Sequence, residues 1–106
     1  MKCKKTAIAI ATFVLVTFHA VCQNPEQLAD EAAKAYNSMH FDQAIKLYGK
    51  IIDNGYESAA LYYNLGNAYF RNNENAQAVL YYEKALKLSP NNSDIRHNIE
   101  VVNNRL

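Results

Sequence analysis

Residues 61–70 read LYYNLGNAYF, and the spacing of their apolar side chains decides the fold. Leu61, Leu65, Ala68 and Tyr69 fall on one stripe of a helix with 3.6 residues per turn. The polar run Arg71-Asn72-Asn73-Glu74-Asn75 continues no stripe and reads as a turn. Beyond it, Ala78, Val79, Tyr82, Ala85 and Leu86 form a second stripe, so residues 58–88 are predicted to fold as a helical hairpin. Gly66 sits in mid-helix, where glycine costs about 1 kcal/mol against alanine. Such a residue is expected where a neighbouring helix comes close, and Ala78 is the small residue that meets it from the facing helix.

Working outward, the hairpin has a forerunner. FDQAIKLY at 41–48 lies beside NAQAVLYY at 75–82, and Gln43, Ala44, Leu47 and Tyr48 meet Gln77, Ala78, Tyr81 and Tyr82 at an offset of 34. Ala35-Tyr36 matches Ala68-Tyr69 at an offset of 33, which implies a turn one residue shorter in the first unit. Gly55 is suited to end the second helix in a left-handed conformation, and Pro90 stops the fourth. Asn92 or Ser93 can cap a fifth, with Asp94 in its first turn and Ile95, Ile99, Val102 and Leu106 along one face. Five helices follow: 25–37, 41–54, 58–72, 75–88 and 93–105. The expected fold is all-α: two hairpins and a closing helix that covers the open end of the stack. Tyr82 is expected to be buried with its hydroxyl on a partner, Tyr81 half exposed, and Glu83, Lys84 and Lys87 on a solvated face.

Composition agrees with a small helical stack. The 106 residues are 50% apolar and 20% charged, with eight tyrosines, four phenylalanines and no tryptophan. Five glycines and prolines are too few for a many-turned β-sandwich. Charges of both signs are interspersed at a net +1, so nothing marks a nucleic-acid binder.

The first 22 residues are of another kind. Lys2, Lys4 and Lys5 precede an uncharged, mostly apolar run from Thr6 to Phe18, and His19-Ala20-Val21-Cys22 offers small residues for cleavage before Gln23. This is the pattern of a secretory signal. The run is shorter than the roughly 20 residues that span a bilayer, although a retained N-terminal anchor and acylation of Cys22 are the rival readings. Cleavage leaves 84 residues without a cysteine and changes the net charge to −2, because three of eleven basic residues depart and all ten acidic ones stay. The expected location is the periplasm or cell envelope of a Gram-negative bacterium.

Taken together, LYYNLGNAYF, Ala78, Tyr82, Ala85 and Pro90 resemble a tetratricopeptide repeat, with Tyr62 in the place often held by tryptophan. The first unit departs from the pattern: Ala33 replaces the glycine and Tyr56 the proline. The resemblance covers residues 25–92 as units 25–57 and 58–92, with residues 93–106 completing them. It implies stacked antiparallel pairs, a right-handed twist and a concave face lined by the first helix of each pair. More narrowly, GYESAALYYNLGNAYF and AVLYYEKALKLSPNNSDIRHNIE are similar to the repeat region of the Bacteroides aerotolerance BatE proteins. Such proteins are envelope-associated and often continue into membrane-spanning helices and a small β-domain.

No catalytic set is legible. The residues after the signal include two histidines, His40 and His97, too few for a metal site, and the carboxylates are scattered. No cofactor is expected. What the resemblance implies instead is a peptide site on the concave face, built from Lys34, Tyr63, Asn67, Phe70, Arg71 and His97, with Asn67 and Arg71 exposed as donors. Tyr63 and Phe70 can equally pack beneath a neighbouring hairpin, as aromatic residues at helical spacing usually do. The expected role is a protein–protein interaction module, scaffold or assembly factor with a protein or peptide partner. The alternative is a structural segment that packs on a second copy or on a C-terminal membrane region. A retained signal or such a region would also bring the chain to a membrane.

Overall fold

Capping chemistry delimits the five helices, which a computed structural model describes with their turns over residues 24–106. The expected export signal lies outside the described residues. Helix α1 (Pro25–Asn37) opens with a reciprocal cap: Asn24 Oδ1 accepts from Gln27 N–H at 2.8 Å, and Gln27 Oε1 accepts from Asn24 N–H at 3.4 Å. Helix α2 (Phe41–Asp53) follows His40, which offers no side-chain cap. Ser58 Oγ accepts from Leu61 N–H at 3.0 Å to start α3 (Ala59–Arg71). Helix α4 (Asn75–Leu88) leads to α5 (Ser93–Asn103), whose cap is Asn92, with Oδ1 accepting from Asp94 and Ile95.

Three helices end the same way. Met39, Gly55 and Asn73 have φ of 63°, 91° and 61°. In each case this left-handed residue donates to a carbonyl three residues back, and the next residue donates five back: His40 to Ala35, Tyr56 to Ile51, Glu74 to Tyr69. These are Schellman ends, which satisfy carbonyls that a helix terminus leaves without partners.

The turns correct the repeat register. α1 and α3 begin at Pro25 and Ala59, end at Asn37 and Arg71, and turn at Met39 and Asn73. All three offsets are 34, so the first turn is not shortened. The match of Ala35-Tyr36 with Ala68-Tyr69 is a coincidence of identity one residue out of register. Ala32, 0% exposed, therefore holds the place of Gly66, whereas Ala33 is exposed.

Consecutive helices pack on one another from α1 to α5. One apolar cluster joins Leu28 and Ala32 of α1 with Ala44, Leu47, Tyr48 and Ile51 of α2 and Leu61, Leu65 and Ala68 of α3. A second joins Tyr62 of α3 with Ala78, Tyr82 and Ala85 of α4 and Ile95 and Val102 of α5. Helix α3 thus serves both clusters, which links two units into one stack. Each fully buried aliphatic side chain contributes on the order of 1.5–3 kcal/mol to that union. Leu106, predicted to extend the apolar face of α5, lies beyond the helix and is 70% exposed.

Gly66 explains the close approach within the second hairpin. A Cβ there would stand 2.6 Å from Cδ1 and 2.7 Å from Cε1 of Tyr82. The neighbour is therefore an aromatic ring of α4, which lies flat enough on the α3 backbone to leave no room for a methyl group.

Tyr81 is half-buried, as expected, and packs among other rings. Tyr69 and Tyr81 stack with centroids 5.4 Å apart and planes 9° apart, and Tyr62 lies 6.1 Å from Tyr81. Lys84 Nζ sits 5.1 Å from the Tyr81 centroid and 5.7 Å from that of Tyr62. Lys84 was predicted to be merely solvated; its stem instead brings the ammonium over two ring faces.

Candidate functional site

A shallow cleft of about 90 Å³ opens where the first helices of the units converge on α5. It is lined by Tyr36 from α1, by Asn67, Phe70 and Arg71 from α3, and by Asn98 and Val101 from α5, with Tyr82 and Val102 behind them. The lining contains no carboxylate.

A polar network holds its floor. The Tyr82 hydroxyl donates to Asn67 Oδ1 at 2.5 Å, and Asn98 Nδ2 donates to the same oxygen at 3.3 Å and to the Tyr63 hydroxyl at 3.1 Å. The Tyr63 and Tyr82 rings lie 5.8 Å apart. Tyr82 is 1% exposed, and an unpartnered hydroxyl at that depth would cost about 1–3 kcal/mol. Asn67 removes that cost. Burial pushes the Tyr82 hydroxyl well above the usual phenol range, and Tyr63 and Tyr36 push it the same way against the nearby Asn98 amide. Tyr82 therefore stays protonated and remains a donor.

Around the rim, cations lie over rings. The Arg71 guanidinium carbon is 4.9 Å from the Phe41 centroid and 5.9 Å from that of Tyr36, so α3 reaches across to the first unit. Arg105 lies 4.9 Å above Phe70. Such contacts are worth roughly 0.5–1 kcal/mol each where exposed, and they hold the guanidinium groups in place.

The cleft brings together Asn67, Phe70 and Arg71 of the residues read from the sequence, with Tyr63 bonded at its edge. Two assignments change. Arg71 is exposed, but Asn67 is half-buried and its oxygen is committed internally. Phe70 offers less free ring than expected, since Arg105 covers one face.

Lys34 and His97 are exposed and do not line the cleft. Lys34 holds the register place of Ala68 and Val102, which are buried against the preceding unit. No helix precedes α1 among the described residues, so Lys34 stays in solvent. Next to His97, Asn98 is the residue that reaches α3. Its signal was present in the sequence: a polar side chain inside the apolar stripe Ile95–Ile99–Val102.

A family model described as tetratricopeptide repeat matches residues 30–93, more than half of the chain and both hairpins. The fold, the 34-residue register and this match agree: the chain belongs to the tetratricopeptide repeat family. Repeats of this family generally mediate protein–protein interaction and are typically non-catalytic. No curated protein matches the sequence. No helix among the described residues is long and apolar enough to cross a membrane.

Proposed function

We propose that the chain is an exported, non-enzymatic interaction module of the cell envelope, a scaffold or assembly factor that holds a peptide segment of a partner in the α1–α3–α5 cleft. The observation that carries this reading is the cleft itself. Three non-consecutive helices meet there, its floor is fixed by hydrogen bonds, and Arg71 stands exposed on its rim. A shallow groove with aromatic and guanidinium groups suits an extended segment better than a small ligand. The envelope setting rests on the basic start and apolar run of residues 2–18 and on the similarity of 55–70 and 78–100 to BatE proteins.

Crosslinking and affinity capture from the native envelope test this reading. The comparison is the wild type against Arg71→Ala and against Lys46→Ala, a solvated α2 residue outside the cleft. One partner lost with Arg71→Ala and kept with Lys46→Ala is the expected result. An unchanged partner set in Arg71→Ala contradicts groove binding.

A further inference from the structure

Two of the three glycines have a cause inside the chain. Gly66 lies under the Tyr82 ring, and Gly55 holds a φ of 91° at the end of α2. Gly49 has neither. It sits inside α2, where glycine weakens a helix against alanine, and a Cβ built on it would meet nothing within 4 Å. Bare helix backbone of this kind lets a second backbone come close. Ile45 and Ile52, both half-buried, stand four residues before Gly49 and three after it, so apolar side chains flank the opening on one face of α2. Lys46 and Asp53 border that face, are exposed, and make no ion pair with another described residue.

We infer that the chain pairs with a second copy of itself through this face, the two α2 helices crossing antiparallel at Gly49. Charge complementarity selects the second copy. In a two-fold antiparallel pairing, a residue before Gly49 meets one about equally far after it in the other chain. Lys46, three residues before, then falls beside the second copy's Asp53, four after, and symmetry repeats the contact. Ile45 and Ile52 meet in the same way. A parallel crossing would instead set Lys46 on Lys46 and Asp53 on Asp53, which like-charge repulsion disfavours. The cleft is built by α1, α3 and α5 with a ring of α4 behind it, so this pairing leaves it open and does not depend on what it holds.

Sedimentation equilibrium of the purified full chain at rising concentration tests this pairing. The wild type should pass from monomer to dimer. Gly49→Leu should weaken the dimer at least about tenfold, since a leucine at the crossing holds the two helices apart. In dilute solution the same variant should melt no lower than wild type, because the new side chain meets open space and leucine favours a helix. Lys46→Asp and Asp53→Lys should each weaken the dimer about tenfold, the order set by two exposed ion pairs lost at once, and the double exchange should restore it. A chain that stays monomeric overturns the inference. So does a dimer indifferent to Gly49→Leu, whose contact then lies elsewhere. A double exchange that fails to restore the dimer overturns the antiparallel crossing. A chain that stays monomeric but loses a different protein in affinity capture with Gly49→Leu gives the face to a foreign helix and overturns the second copy.

Discussion

The two hairpins share a backbone plan and differ in what they place on it. Tyr48 and Tyr82 occupy the same position 34 residues apart, 5% and 1% exposed. In the second hairpin the tyrosine ring rests on Gly66 and its hydroxyl donates to Asn67. In the first, the corresponding places hold Ala32 and Ala33, and no side-chain acceptor stands where Asn67 does. The first hairpin is thus an aliphatic pair, with Leu28, Leu47 and Ile51 around its tyrosine. The second is a polar-buttressed pair, and its network extends through Asn98 into α5. Equivalent positions can serve packing in one unit and site architecture in the next, so a repeat match alone does not assign a residue's role.

The largest expected difference between the hairpins lies at the small-residue position. Gly66→Leu forces atoms into the Tyr82 ring, which is 1% exposed and anchored at its hydroxyl, and should cost at least about 3 kcal/mol. Ala32→Gly removes a buried methyl and adds helix-interior glycine, and should cost only about 1–2 kcal/mol. Urea unfolding followed by circular dichroism measures both. Near-equal losses would mean that the hairpins do not differ at this contact.

Next come the tyrosine hydroxyls. Tyr82→Phe should cost about 1 kcal/mol, whereas Tyr48→Phe should stay within about 0.5 kcal/mol of wild type. The same pair separates in alkali. Burial raises the folded-state pKa of Tyr82, and likewise of Tyr48, Tyr62 and Tyr69, above the ordinary value near 10. The folded chain then holds these protons more tightly than the unfolded one. Stability from this source is complete below pH 10 and falls as pH rises above it. Melting temperature should therefore drop from pH 9 to 11, and drop less in Tyr82→Phe. An identical alkaline slope in wild type and variant would contradict the contrast.

The smallest effect is in the turns. Met39 and Asn73 take the same left-handed conformation, but asparagine tolerates it better than methionine. Met39→Gly should raise stability by about 0.5–1 kcal/mol and Asn73→Gly by less, as a denaturant midpoint would show. A loss at Met39→Gly would mean that this side chain, 67% exposed, contributes more than its backbone strain removes.

Much of the fold was legible in the residues. Apolar stripes placed all five helices, and Asn92 and Gly55 marked ends that the structure keeps. The register of the first unit was not, because Ala35-Tyr36 duplicates Ala68-Tyr69 by identity while the buried small residue is Ala32. Arg71 and Phe70 came from the resemblance to the repeat family, which puts binding residues on the first helices, and both line the cleft. The commitment of Asn67 was not legible, since its partners Tyr82 and Asn98 lie 15 and 31 residues away on other helices. Lys34 misled for a related reason: its register place is buried only when another unit precedes it.

A double-mutant cycle on Tyr82→Phe and Asn67→Ala, read by urea unfolding, tests the central claim that this pair forms the floor of the cleft. If the hydroxyl and the amide depend on each other, the two losses will fall short of additivity by about 1 kcal/mol, because once one partner is gone the other has nothing left to lose. Additivity to within about 0.3 kcal/mol would show that they act independently and would contradict the account.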